Sequence, residues 1–332
     1  MSDLAPSYPA PKDRTAGLVV IGILEICLAL LCLLMLAFMA MATLSLGSLP
    51  EGQAAMSPRA MLGGGLFYLL GVAYFGTLGV GTLRARRWAR TIGLVTSWMW
   101  LLSGIFAVLM MIFILPKMMA AMSAAAGPGN EAIGAVTMGC LSFFLILIYL
   151  VLPGILVLFY RGPNVRATFA AKDPSLPWTD RVPAPVLALT LLLAFVAMSA
   201  LLGISYGVLP MFGTILTGAP AILGFLVLAA LCAALAWGVY HRRPAAWWAV
   251  VACWVLGCAN GAFFLAQGSA GIRKFYEAMK MPAAQLQQID RMGLYDMYSN
   301  PALLALMAVL WLGWLGFLIW TRRFFVEARE AV

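Results

Sequence analysis

Long apolar runs separated by short polar or basic turns dominate the chain. Each run is continuous and lacks the alternation, in segments of roughly ten residues, that marks a membrane β-barrel. About 20 consecutive apolar residues cross the hydrocarbon core as a helix. Eight runs reach that length, at 17–46, 60–83, 91–115, 137–160, 184–208, 220–240, 246–266 and 301–321. The pattern predicts an all-α polytopic membrane protein with eight transmembrane helices. Ser57-Pro58 and Asn300-Pro301 place a capping side chain before a proline at the first helical position, which marks the entry to the second and last spans. The first run follows Lys12 and Arg14 and contains Ala40-Met41-Ala42, similar to a signal-peptidase site. A signal peptide's apolar core spans about 7 to 15 residues. Leu18 to Leu46 is nearly twice that, so a retained anchor is expected.

The chain also repeats itself. At an offset of 157, Gly81, Ser103-Gly104-Ile105-Phe106 and Lys117 to Met122 recur as Gly238, Asn260-Gly261-Ala262-Phe263 and Lys274 to Met279. At an offset of 161, Ala60 to Gly63 recurs as Ala221 to Gly224, and Arg161 with Val165 as Arg322 with Val326. Residues 1–172 and 173–332 thus read as two four-helix repeats. Four is an even number, so the second copy enters from the same side as the first, and the repeats are parallel about a pseudo-twofold axis along the membrane normal.

Composition agrees with lipid as the solvent. Hydrophobic residues make up 64% and charged residues 10%, against about 45–50% and about 25% in soluble domains. A net charge of +9 suggests an anionic partner in a soluble protein, but here its placement decides its meaning. Fifteen of the 21 lysines and arginines fall on one set of alternate loops, including Arg84, Arg86, Arg87, Arg90, Arg242 and Arg243. The other loops carry only Arg59, Lys117, Arg273, Lys274, Lys280 and Arg291. The bias puts both termini in the cytoplasm and accounts for the arginines without nucleic acid. All six cysteines lie inside spans and read as small buried hydrophobes.

Spans three and seven are expected to continue beyond the bilayer. Ile272, Phe275, Tyr276 and Met279 form a helical stripe that Pro282 ends, and the matching extension after Pro116 ends near Gly127-Pro128-Gly129. Ala283 to Met292 reads as a further external helix closed by Gly293. Between the halves, Pro163 to Lys172 reads as an amphipathic helix, and Ser175 to Pro183 as an extended linker with Trp178 at headgroup level.

Glu25 is the one charged side chain inside a predicted span, which makes it a candidate for proton or cation coupling. The alternative is a protonated acid that hydrogen-bonds a neighbouring helix. An acid at the centre costs about 2.5–3.5 kcal/mol, while each Leu, Ile, Val or Phe returns about 0.3–0.6 kcal/mol. This run has 16 of them, so it inserts regardless. Ser103 and Asn260 hold equivalent places, and a twofold axis would bring them together as a polar site. The competing role for such positions is helix packing, with Cys253, Gly257 and Gly261 on one small-residue face and Ser199, Gly203 and Gly207 on another.

No cofactor or metal site is expected. The i, i+4 methionine pairs Met35/Met39 and Met118/Met122 have a spacing suited to Cu(I), but they lack a thiolate pair and read as apolar filler. A single histidine excludes multi-histidine metal centres, no aspartate lies in a span, and no phosphate loop is present, so the chain reads as non-enzymatic. The turn Arg84-Ala85-Arg86-Arg87-Trp88-Ala89-Arg90 resembles one in small bacterial multi-pass membrane proteins of unassigned function, and His241-Arg242-Arg243 to Trp247-Trp248 is similar to it. The resemblance implies a bacterial inner membrane and no activity. The expected role is binding of membrane lipid or a protein partner, or support of a membrane assembly. The rival is a transporter or channel, which requires a water-accessible cavity between the repeats lined by Glu25, Ser103 and Asn260.

Overall fold

The computed structural model describes residues 12–46, 58–126 and 131–330. Within them, eight helical segments are long and apolar enough to cross a membrane. They are α1 (Thr15–Leu46), α2 (Pro58–Leu83), α3 (Arg87–Ala126), the α4–α5 pair (Glu131–Ile146 and Leu152–Arg161), α7 (Ala184–Gly203), α8 (Ala219–Tyr240), α9 (Pro244–Ala266) and α13 (Pro301–Thr321). The short helices are α6 (Pro163–Lys172), α10 (Gly268–Ala278), α11 (Ala283–Arg291), α12 (Leu294–Met297) and α14 (Arg323–Glu330). Every predicted span is present. Apolar side chains such as Val20, Leu30, Leu158 and Leu223 point outward along them, as lipid rather than water demands.

Local chemistry sets the ends. Asn300 accepts from the Ala302 amide at 2.9 Å and caps α13 before Pro301. Ser57 and the segment Gly127-Pro128-Gly129 lie outside the described residues. α1 runs unbroken through Ala40 to Ala42. In the fourth span a wide π turn, Leu147–Val151, precedes Pro153. Proline has no amide to return to the carbonyl four residues back, that of Tyr149, so the helix widens there.

Three expectations need correction. Span five ends at Gly203 and not at 208, because an antiparallel hairpin follows. Its strands are β1 (Val208–Met211) and β2 (Thr214–Thr217), joined by Phe212 and Gly213, both at positive φ. Second, span seven does not continue as one long helix. It breaks at Gln267-Gly268, where Gly268 has φ +58°. The counterpart α3 stays helical for 40 residues through Pro116. At the offset of 157 its equivalents of Gln267 and Gly268 are Met110 and Met111, which favour helix where glycine does not. Third, the linker after α6 is not fully extended, since Trp178–Asp180 forms a 3-10 turn. Pro163–Lys172 and Ala283–Arg291 are helical as expected, with Gly293 left-handed after the latter.

The basic turns gather at one end of the bundle. The Lys12 and Arg14 amides donate to Asn164 and Thr168. Arg87 pairs with Asp180 at 3.2 Å, and the Tyr240 hydroxyl donates to the Trp178 carbonyl at 3.0 Å. The Arg322 guanidinium stacks near Trp247 and Trp248. Asp173 accepts from Ser175 and from the Arg87 amide, and these donors hold its carboxyl below the usual range. At the other end Lys117 donates to the Gly293 carbonyl and ties α3 to the second half.

The turns around Ala85 and Arg242 share one hydrogen-bond pattern. Arg84, Ala85, Arg86 and Ala89 donate to Val80, Thr82, Gly81 and Arg86; His241, Arg242, Arg243 and Ala246 donate to Trp237, Val239, Gly238 and Arg243. Every partner matches at an offset of 157. Ala85 and Arg242 both carry positive φ, 50° and 52°. Gly81 faces the Ala89 methyl as Gly238 faces that of Ala246.

Candidate functional site

Glu25 is 3% exposed and sits in a closed polar triad. The Tyr160 hydroxyl donates to Glu25 Oε1 at 2.7 Å and lies 3.1 Å from the Thr82 hydroxyl. A tyrosine has one hydroxyl proton, so Thr82 donates to Tyr160 as Tyr160 donates to Glu25. Glu25 Oε2 is buried with no hydrogen-bond partner. The Tyr160 ring lies against Gly93 of α3, where any larger side chain meets it. Leu18, Ile21, Leu156 and Tyr160 pack with Val165 and Phe169 of α6. Thr82 and Tyr160 are each one residue from the end of their helix. The triad therefore lies near the basic end of the bundle and not at its middle.

Tyr160 and Thr82 were not legible as site residues, because a search for charge inside spans passes over hydroxyls at span ends. The available signal was their position one residue before Arg161 and Leu83, where a tyrosine or threonine turned inward needs a partner. A second hydroxyl pair, Tyr74 with Thr96, joins α2 to α3 in the same half.

The structure does not join Ser103 to Asn260. Ser103 is exposed on α3. Asn260 holds the hairpin: its Oδ1 accepts from the Phe212 amide at 2.5 Å, and its Nδ2 donates to the Pro210 carbonyl at 3.3 Å. The Gln267 amide donates to the Gly213 carbonyl of the same turn. The hairpin absorbs the side chain that the axis was expected to receive. Phe212 is a bulky residue at φ 46°, a conformation that its surroundings must enforce. Asn260→Ala is expected to release the turn at a cost of about 1–2 kcal/mol. Amide exchange over residues 208–217 checks this, and unchanged protection removes Asn260 as the clamp.

The small-residue faces are also rearranged. Gly207 lies past the end of α7 at φ +62°, with open space around it. Ser199 and Gly257 are exposed, and open space also surrounds Gly257. Gly203 faces the Phe225 ring, Gly261 the Trp311 ring, and Cys253 is partly covered beside the second core. Approaches of backbone to backbone lie elsewhere. Gly22 and Gly79 bring α1 onto α2, and Gly104 brings α3 onto the Tyr149 carbonyl at the π turn.

Buried positions on α1 and α7 keep one spacing: Leu18, Ile21, Glu25 and Ala29 against Val186, Leu189, Leu193 and Ala197. Thr82 and Val239 are both fully buried at an offset of 157, as are Tyr160 and Thr321 at 161. At offsets of 168, 157 and 161, Leu193, Val239 and Thr321 stand against Glu25, Thr82 and Tyr160. Arg90 has Trp247 as its counterpart, whose indole donates to the Leu318 carbonyl at 3.1 Å and to Thr321 at 3.3 Å. No carboxyl is buried at the corresponding place in the second half.

Three cavities stand out, and none is lined by Glu25, Ser103 or Asn260. One of about 400 Å³ lies between the start of α3, α6 and the linker, against Arg87, Arg90, Arg166 and Asp180. Another of about 470 Å³ lies between the hairpin and α10, beside Gln267 and Lys274. A third of about 270 Å³ is an apolar groove between α3 and α4, from Ala107 to Tyr149. Among the described residues no three His, Cys, Asp or Glu side chains gather as a metal site. No family model, curated protein or solved structure matches the chain.

Proposed function

We propose that the chain is a non-enzymatic multi-pass protein of a bacterial inner membrane that binds membrane lipid or a protein partner and supports a membrane assembly. Its halves are two parallel four-helix repeats about a pseudo-twofold axis along the membrane normal, with both termini in the cytoplasm. The matched turns at Ala85 and Arg242 and the matched burial on α1 and α7 support the repeat. The gathering of the basic turns at one end supports the orientation. The observation that carries the binding reading is the burial of Glu25 in a hydrogen-bonded triad, in the lining of none of the three cavities described. Transport needs a group that solvent reaches in turn from each side, and a carboxyl that is 3% exposed and held by Tyr160 is not so placed.

A transporter is the second reading, and the buried, unpartnered Glu25 Oε2 favours it, since a free lone pair can take a proton or cation. Proteoliposomes with an internal pH-sensitive dye separate the two. The binding reading expects wild type and Glu25→Gln to be equally tight to protons and alkali cations under an imposed gradient. Flux in wild type that Glu25→Gln abolishes assigns transport instead.

A further inference from the structure

We propose that the cavity between the start of α3, α6 and the linker binds a phosphate anion through Arg90 and Arg166. The inference rests on the binding reading above and names the ligand class. Three arginines and one acid line this cavity. The acid is already engaged: Asp180 pairs with Arg87 at 3.2 Å and accepts from Thr91 at 2.7 Å and Thr179 at 3.4 Å. Among the described residues the only ion pairs are Arg87–Asp180 and Arg273–Glu277, so Arg90 and Arg166 have no carboxylate. The Arg90 Nε is buried without any hydrogen-bond partner. A buried guanidinium donor left unpaired is costly, and an anion in the cavity removes that cost. The start of α3 adds its positive end to the same place.

The fold itself does not require this charge. The equivalent turn in the second half keeps every hydrogen bond with Trp247 in the place of Arg90. Pro244 and Glu327 stand where the first half has Arg87 and Arg166. The arginine cluster is thus a property of one repeat and not of the turn geometry. Leu94, Val182 and Ala184 form an apolar wall that leads from the arginines towards the spans. A lipid phosphodiester fits both parts, its phosphate on the guanidinium groups and its glycerol and acyl portion along the wall. A free phosphate uses the arginines alone.

The test uses the full chain purified in a nonionic detergent, titrated separately with phosphatidylglycerol, phosphatidylcholine and inorganic phosphate. Native mass spectrometry follows the lipids, and calorimetry follows phosphate. Wild type is expected to bind phosphatidylglycerol in preference to phosphatidylcholine, and Arg90→Gln and Arg166→Gln each weaken that binding about tenfold. Binding that phosphate does not displace identifies the lipid headgroup as the source. Phosphate that binds and competes, with the same arginine dependence, identifies a free anion. Equal binding of phosphatidylglycerol by wild type and by the double variant, with no phosphate binding, overturns the site. Arg166 is exposed on α6, so its variant keeps the test open if Arg90→Gln does not fold. Loss of the anion site with tight proteoliposomes leaves the binding reading standing with another ligand. Glu25-dependent flux removes that reading whatever the arginines bind.

Discussion

Gly104→Ala lowers the thermal unfolding midpoint of the purified chain, while Gly257→Ala leaves it unchanged or raises it. Both glycines lie inside long helices, where alanine is intrinsically better by about 1 kcal/mol. Only the surroundings differ. A methyl at Gly104 runs into the Tyr149 carbonyl, with the carbonyl carbon 2.7 Å away, whereas nothing lies within 4 Å of one at Gly257. A flexible side chain can move aside at small cost, but a carbonyl cannot without its turn. Pro153 cannot donate to the carbonyl of Tyr149, which leaves that oxygen turned towards α3, and glycine is the residue that lets α3 come close enough to meet it. Overpacking of this kind costs about 1–3 kcal/mol, enough to outweigh the helix preference. Gly104→Leu is expected to prevent accumulation of folded protein. A Gly104→Ala protein with the wild-type midpoint removes the close contact between α3 and the π turn.

The same pair shows what the sequence displayed and what it concealed. Apolar length and basic turns reveal all eight spans, because the bilayer imposes one dominant requirement on every spanning segment and the residues must satisfy it locally. Which face of a span meets which neighbour is not imposed by lipid, since lipid tails are as apolar as leucine. Gly104 and Gly257 look alike in sequence for that reason. The hairpin was hidden because β1 and β2 are only four residues each and fill the short gap between the fifth and sixth runs. Gly207, Gly213 and Gly218, all at positive φ, were its only punctuation. The 157-residue offset set Ser103 beside Asn260 in sequence, yet Asn260 bonds the hairpin turn at Pro210 and Phe212, a local partner that sequence similarity cannot anticipate. Glu25 stood out as a charge, and its partners did not, because their hydroxyls are ordinary at helix ends and become specific only through burial.

Removing the Tyr160 hydroxyl destabilises the chain more than removing the acid it serves. In Tyr160→Phe, Glu25 Oε1 loses its Tyr160 donor beside an Oε2 that already has none, and Thr82 loses the Tyr160 hydroxyl as well. Leaving a buried polar group unsatisfied costs about 1–3 kcal/mol, while hydrogen bonds within membranes are worth about 0.6 kcal/mol on average, so the effect is dominated by the orphaned acid. Glu25→Leu takes the opposite course. Leu193, which the repeat reading sets against Glu25, is buried in a cluster with Val239, the kind of apolar environment in which leucine is accepted. The variant removes the unpartnered Oε2 and is expected to be neutral or to raise the midpoint. Combined with Glu25→Leu, Tyr160→Phe then costs less than it does alone, because the acid it would have orphaned is gone. Thermal unfolding of the two single variants and the double variant in one detergent measures this coupling. Additive effects mean that Tyr160 does not hold Glu25. A marked loss in Glu25→Leu alone means that the acid stabilises the first repeat through contacts beyond Tyr160 and Thr82.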